Sequence, residues 1–377
     1  MSKGEYSPDK AFAWPDRLQD LKDGRQPYPV HLHLIISDLC NQNCCGCAYR
    51  MEGYSSNQLF GEVRTDGTVN NNPSRFLDTE LVKSVLNDCV DMGTRAVEFT
   101  GGGEPLVHKD APMLLGYAQD LGLDTALITN GILLPKVANS SVKTTWLRIS
   151  IDAATEATYG IVRPTLGQKN VFKKVCDNVE SAVITRDLLD TDCTIGAGFV
   201  VHQQNYKEIY DFVKLAYNLG VDNVRISGLF TPQGDLYHQA HRDEAMALEQ
   251  QAIADFDSKD GFKVHGRFNE KLSDLAKSPN FKKCWYQEMT TYIGGDSKLY
   301  RCCVTSYNQQ GYIGDLRVHG GFKALWDSQQ KQDKFSGFDA RTCTFCQFTD
   351  RINSIDKALK QDELPTAPDD LKHKSFV

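Results

Sequence analysis

The chain has 377 residues, 41% hydrophobic and 10% aromatic, enough to bury a large core and to exclude disorder as the starting assumption. Its 42 basic and 49 acidic residues leave a formal net charge of −7, which excludes broad, charge-driven binding to nucleic acid or anionic membranes while allowing a local basic pocket. No apolar run approaches the roughly 20 residues that span a bilayer. The polar N-terminus lacks the apolar stretch of a signal peptide, so a cytoplasmic location is expected.

In chain order, an N-terminal extension over 1–29 precedes a domain over 30–235 in which short β-rich runs alternate with amphipathic stretches. The predicted strands are 30–36, 95–100, 124–129, 146–152, 193–201 and 223–228. Helices are predicted over 171–183 and 206–219, where apolar residues such as Val171, Val175 and Val179, or Ile209, Phe212 and Ala216, recur at helical spacing. Six strands with intervening helices fit an open doubly wound sheet or a partial barrel. A polar loop rich in Gly and Asn interrupts the rhythm at 50–78, either as a lid or as a surface excursion. A helical connection over 236–280 leads to a cysteine-bearing module over 281–350. The charged, Pro-interrupted tail over 351–377 reads as a poorly ordered terminus or a strap across the surface.

Twelve cysteines need an account, because disulfides rarely persist in a reducing compartment, and metal or redox chemistry supplies one. Cys89, Cys176 and Cys193 stand alone in apolar segments and read as buried packing residues. Cys40, Cys44 and Cys47 instead form C-x3-C-x2-C directly after the first predicted strand, and α/β proteins place their sites at that end of a strand. Three thiolates from one loop can hold three irons of a [4Fe–4S] cube and leave the fourth iron open. A structural zinc site wants four ligands, and the only nearby fourth thiol, Cys45, points awkwardly between its neighbours.

This spacing resembles the signature of the radical S-adenosylmethionine superfamily. Thr100-Gly101-Gly102-Gly103-Glu104-Pro105, closing the second strand, is similar to that family's GGE motif, which binds the methionine amino group. The chemistry is consistent: glycines admit a ligand to the backbone, and a carboxylate neutralises an ammonium. Ile128-Thr129-Asn130-Gly131 and the run 146–152 resemble the family's third and fourth strands. The resemblance implies that Ser150 and Arg163 hold the methionine carboxylate and that Asn130, Asp152 and Val200 belong to the cofactor site, with backbone at 196–201 and 224–227 lining the adenine. Family members usually carry an aromatic residue just before the third cysteine. Here that position is Gly46, and Tyr49 is expected to supply the ring.

Cys284, Cys302, Cys303 and the pair Cys343-x2-Cys346 form an ordered series that resembles the twitch module, the short form of the SPASM extension. The resemblance implies one auxiliary [4Fe–4S] cluster on Cys284, Cys302, Cys343 and Cys346. Cys303 can replace Cys302, since adjacent strand residues point opposite ways, and four cysteines also suit a zinc ribbon. The implied fold is α/β: a partial (β/α)6 barrel with a small C-terminal cysteine-rich β-hairpin/helix module.

Strand alternation places Trp146, Arg148, Ser150 and Asp152 on one face, and by the same test His31, His33, Glu98, His202 and Arg225 face a chamber as candidate substrate anchors or proton acceptors. The expected activity is formation of a 5′-deoxyadenosyl radical that takes hydrogen from a small-molecule, nucleotide or peptide substrate, with electrons from a donor such as flavodoxin or ferredoxin. The alternatives are a maturase acting on a peptide or protein, and a non-enzymatic iron–sulfur or zinc-binding structural protein.

Overall fold

The computed structural model describes residues 4–51, 58–165, 167–275 and 278–377. Residues 1–3 of the expected N-terminal extension, 52–57 of the polar loop and 276–277 of the helical connection lie outside the described residues. The strands in chain order are β1 (His31–Ile35), β2 (Glu62–Val63), β3 (Val69–Asn70), β4 (Ala96–Thr100), β5 (Asp124–Thr129), β6 (Trp146–Ser150), β7 (Thr194–Val201), β8 (Asn223–Gly228), β9 (Lys263–Gly266), β10 (Thr290–Ile293), β11 (Lys298–Tyr300) and β12 (Tyr312–Asp315). β2 and β3 form a separate hairpin within the polar loop. The other ten make one sheet in the order β12-β11-β10-β1-β4-β5-β6-β7-β8-β9. Because the order ends on β12 and β9, the sheet curls without closing, as a partial barrel does.

The six parallel strands β1 and β4–β8 coincide with the predicted ones to within two residues at each end. Their outward side chains, among them Leu32, Leu34, Val97, Phe99, Leu147, Ile149, Phe199 and Ile226, are buried in one core with the flanking helices. Each such side chain contributes roughly 1.5–3 kcal/mol. Period-two alternation therefore turns the polar residues of the same strands toward the barrel interior.

Two features extend the expected architecture. The connection over 236–280 is not wholly helical, since β9 lies between the helices Arg242–Phe256 and Phe268–Leu275 and adds a parallel strand beside β8. At the other edge, β10 pairs in parallel with β1, matching His31 with Thr290 and His33 with Tyr292, so the cysteine-bearing hairpin continues the barrel sheet.

Both terminal segments close the N-terminal mouth of the barrel. The 3-10 turn Pro8–Ala13 meets the helix Thr349–Leu359, where Ser354 donates to Asp9. Of the two readings of 351–377, the strap is the one observed: Phe376 packs edge-on against His31 (5.2 Å) and Trp146 (5.4 Å). Buried Lys10 donates to the Phe376 carbonyl (3.1 Å), and Thr290 donates to the Val377 carbonyl (3.1 Å). The signal is hard to see in sequence, because two ring contacts and two hydrogen bonds anchor an otherwise polar segment. No described helix is long and apolar enough to cross a membrane.

Candidate functional site

The three cysteines of the first motif sit on the loop leaving β1, at the C-terminal end of the sheet. Polar bonds shape this loop: Cys40 N–H donates to Asn72 Oδ1 (2.9 Å), Asn72 returns a bond to the Cys40 carbonyl (3.0 Å), and Arg50 donates to the Gln42 carbonyl (2.8 Å). The polar loop thus clamps the cysteines, a role for Arg50 and Asn72 that no motif announced. Burial pushes the Cys44 thiol up to about 12, with the neighbouring Cys47 and Cys40 adding to the shift and Arg163 opposing it. The three thiols share one small region. Cys45 is exposed and lies 3.8 Å from His202 Nε2, on the far side from its neighbours.

The glycine turn meets this loop directly. A Cβ on Gly103 would stand 2.2 Å from the Leu39 carbonyl oxygen, so only glycine allows the approach. Glu104 is buried and accepts from Thr129 Oγ1 (2.6 Å), Asn130 N (2.8 Å) and Leu106 N (3.1 Å). Asn130 in turn donates to Asn41 (2.7 Å), tying the end of β5 to the cysteine loop. The strip Gly101, Gly102, Gly103, Glu104 and Asn130 therefore borders the three thiols.

Arg163 and Asp152, both expected in the cofactor site, are bonded to each other beside the first cysteine loop. Arg163 donates from Nε (2.8 Å) and Nη2 (2.5 Å) to Asp152 Oδ2, and its Nη1 lies 3.5 Å from Cys44 Sγ. Asp152, in the left-handed region at φ 58°, spends its other oxygen on the Val200 N–H (2.8 Å). The carboxylate thus aims the guanidinium at the thiols and ties it to β7. Ser150, on β6 opposite Gly198, is half-buried.

Tyr49, expected to supply the missing aromatic, lines the barrel chamber. Its ring packs against Phe60 (5.4 Å) and Tyr307 (5.7 Å), at the border between the first cysteine loop and the second cysteine group. Gly46 itself is crowded, because a Cβ there would come within 2.9 Å of Leu229 Cδ1. Leu229, just past β8, fills the space an aromatic would need.

In the second group, Cys284, Cys302, Cys343 and Cys346 line one apolar pocket walled by Phe281, Phe338, Phe345 and Phe348. Burial raises all four thiols, Cys343 and Cys346 to about 12; neighbouring thiols reinforce the shift of Cys284, Cys343 and Cys346, whereas bonds from Thr305 oppose that of Cys302. Arg301 reaches the same pocket and supplies a compensating charge. Cys303 faces the other way, into the barrel chamber, where Gln347 donates to its sulfur. A donor set of thiols alone, enclosed by phenyl rings, fits an iron–sulfur cube or, by chemistry, a zinc ion, although no three of these thiols gather within the 4.8 Å of one another that a single ion would need.

The chamber is a cavity of about 1200 Å³ inside the barrel, and His31, His33, Glu98, Arg148 and Arg225 all line it. His33 Nδ1 lies 3.0 Å from Glu98 Oε1 and its ring stacks on Tyr292 at 4.1 Å. Burial favours the neutral form of Glu98, but His33, Arg148 and Arg225 prevail and hold it below its ordinary value. Burial, reinforced by His33, pushes His31 well down, so it stands neutral with Nε2 unpartnered. His202 is not part of the chamber wall. β7 ends at Val201, the alternation stops there, and His202 turns to Gln204 and Cys45. Missed in turn were Tyr6, Tyr292 and Phe376, contributed by segments without a strand-and-helix pattern.

Residues 34–216 match the family model described as the Radical SAM superfamily. The chain is similar to the PqqA peptide cyclase of Bradyrhizobium diazoefficiens, 25% identical over 285 residues that cover 72% of this chain and 71% of the relative. It is also 25% identical to a probable GTP 3′,8-cyclase of Saccharolobus islandicus, across 52% of this chain and about half (55%) of that relative's length. Among solved structures, Streptococcus suis SuiB bound to the precursor peptide SuiA superposes with a TM-score of 0.58 at 13% identity, over 93% of this chain and 78% of that one. That likeness shows the fold.

Proposed function

We propose that this chain, which belongs to the radical SAM superfamily, abstracts hydrogen from a substrate enclosed in its barrel chamber and carries one auxiliary cluster beside that chamber. It is an enzyme that uses S-adenosylmethionine. Cys40, Cys44 and Cys47 would hold the first [4Fe–4S] cluster, and Cys284, Cys302, Cys343 and Cys346 the second. Bound together, the first cluster and S-adenosylmethionine supply a 5′-deoxyadenosyl radical by reductive cleavage of the sulfonium.

The chain's residues do the rest. The observation that carries the reading is the contact between the cysteine loop and the glycine turn: Gly103 lies against Leu39, and Asn130 bonds Asn41. Carboxylate (Glu104), hydroxyl (Ser150) and guanidinium (Arg163) groups form a set suited to the amine and carboxylate of one methionine. Leu229 and the barrel wall exclude water from the space below. Four thiols in a closed apolar pocket leave no open coordination position, which favours electron acceptance over substrate binding for the auxiliary group. The external electron source would be a small carrier such as flavodoxin or ferredoxin, in the cytoplasm.

Two substrate readings have support. A small molecule is favoured by a chamber inside the barrel against whose N-terminal mouth both terminal segments pack. A peptide is favoured by the relatives, named as a PqqA peptide cyclase and as SuiB bound to a precursor peptide. The test is anaerobic reconstitution with dithionite and S-adenosylmethionine. Formation of 5′-deoxyadenosine with about eight irons per chain is expected for two cubes. No 5′-deoxyadenosine would sink the reading, and stoichiometric zinc with half that iron would remove the auxiliary cluster.

A further inference from the structure

The chamber contains cations that the protein itself does not pair, and we propose that it is built for a small substrate with at least two oxyanionic charges, phosphate or carboxylate, received by Arg148 and Arg225. This rests on the reading of the chamber as the substrate pocket.

Several lining acids are already engaged. Glu5 meets His265 (2.7 Å) and Lys372 (3.6 Å), Glu98 meets His33 (3.0 Å), and Glu270 meets Arg267 (2.7 Å). Arg148 and Arg225, by contrast, make no side-chain hydrogen bond or salt bridge among the described residues. They are held by rings: Arg148 lies 5.3 Å from the Trp146 ring centre and Arg225 lies 5.5 Å from Tyr6. A ring neighbour takes up no N–H donor, so the guanidinium's donors stay available for a fork-shaped contact. Arg225 Nε is shut off from solvent with no partner at all. Burial and the like charges of Arg148, Arg267 and Arg351 lower Arg225 to about 10, so it remains a cation at neutral pH.

The strand between the two arginines carries glycine at the positions facing them, and the Asn223 side chain reaches over Gly196, where a Cβ would come within 2.4 Å of its Oδ1. In register, Arg148 on β6 pairs with Gly196 on β7, and Gly198 on β7 pairs with Arg225 on β8. No side chain of β7 stands between them at these positions. Gly196 also lines the cavity. Two guanidiniums on the strands either side of β7, both lining one cavity, match two separated anionic groups better than a single one.

The experiment uses the reconstituted holoenzyme with S-adenosylmethionine and measures anaerobic calorimetric binding of inorganic pyrophosphate, citrate and a hexaglutamate peptide. Saturable binding of pyrophosphate or citrate is expected, weakened about tenfold or more by Arg148→Gln and by Arg225→Gln and unchanged by Lys173→Gln on an exposed helix face. Tighter pyrophosphate assigns phosphate, and tighter citrate assigns carboxylate. The proposal is overturned if neither small anion binds, if both arginine variants bind like wild type, or if hexaglutamate binds more tightly than either. Thermal midpoints guard against misfolding: without anion, Arg225→Gln should match or exceed wild type because it removes an unpaired charge, whereas a lowered midpoint shows a structural partner and overturns the assignment. Formation of 5′-deoxyadenosine by wild type and by Arg225→Gln, alongside failed anion binding, rejects this inference alone. Its absence from wild type rejects the underlying reading as well.

Discussion

The two cysteine sites are built on opposite plans. The first takes three thiols from a single loop, pins that loop with Asn72, Arg50 and Asn130, and surrounds it with Glu104 and Arg163. The second gathers four thiols from distant stretches and walls them with phenylalanine. The polar rim of the first offers several partners to a charged ligand. The shell of the second is phenyl rings with Arg301 as its charged lining residue. The comparison sets a rim suited to a charged ligand against a shell suited to a group held for charge transfer or structure.

The sharpest way to break that comparison is to remove one thiol from each site. Cys44→Ala is expected to reduce 5′-deoxyadenosine formation to background and to lower iron by about half, that is by about one cube of four. Cys302→Ala is expected to lose a similar amount of iron while still cleaving S-adenosylmethionine. Cys303→Ala should keep full iron, because its sulfur faces the chamber. Iron analysis and product chromatography check all three, and loss of cleavage in Cys302→Ala would erase the distinction between the sites.

A smaller effect probes the polar rim. Asp152 and Arg163 are both about nine-tenths buried, so Asp152→Ala leaves an uncompensated guanidinium beside Cys44 and frees the Val200 N–H. The expected loss is about 3–5 kcal/mol by denaturant unfolding. Glycine substitutions grade the rim further. Gly103→Ala drives a Cβ into the Leu39 backbone and should cost about 1–3 kcal/mol, whereas Gly46→Ala presses on the movable end of Leu229 and should cost less. Equal losses would show that the glycine turn is not held against the loop.

What could be read from the sequence follows the same division. The six parallel strands were legible because their outward residues alternate with polar ones, and that alternation also put His31, His33, Glu98, Arg148 and Arg225 on the chamber wall. It failed at His202, one residue past the end of β7, where alternation has no meaning. Roles set by hydrogen bonds between distant segments were not legible: Asp152 reads as a strand-end acid until Arg163 and Val200 are seen on it. β9, β10 and the strap ending in Phe376 are too short to carry a period. Their positions are decided by the edges of the sheet and by the open mouth they cover.

The smallest effect concerns pH and distinguishes the two surroundings once more. Behind Gly46, the side chain of Leu229 is positioned by His238, whose Nε2 donates to the Leu229 carbonyl (2.9 Å). Burial lowers His238 to about 4, with the Leu229 bond opposing and His241 adding to the shift. The unfolded chain therefore takes up a proton near pH ~6.5 that the native chain refuses until near pH 4. Stability contributed by this group is complete above that window and falls as pH drops through it, by about 1.4 kcal/mol per pH unit. His238→Gln keeps a donor for the carbonyl and does not titrate. The variant should lose less stability than wild type between about pH 7 and about pH 5, measured as the difference between their urea midpoints. The residues lining the second pocket include no histidine, so this acid sensitivity is not one of that pocket; the buried His31 of the chamber adds a contribution of the same sign, which is why the test is the difference between variant and wild type. If His238→Gln leaves the wild-type pH slope intact, His238 is not held neutral, and the wall over Gly46 is wetter than its packing against Leu229 implies.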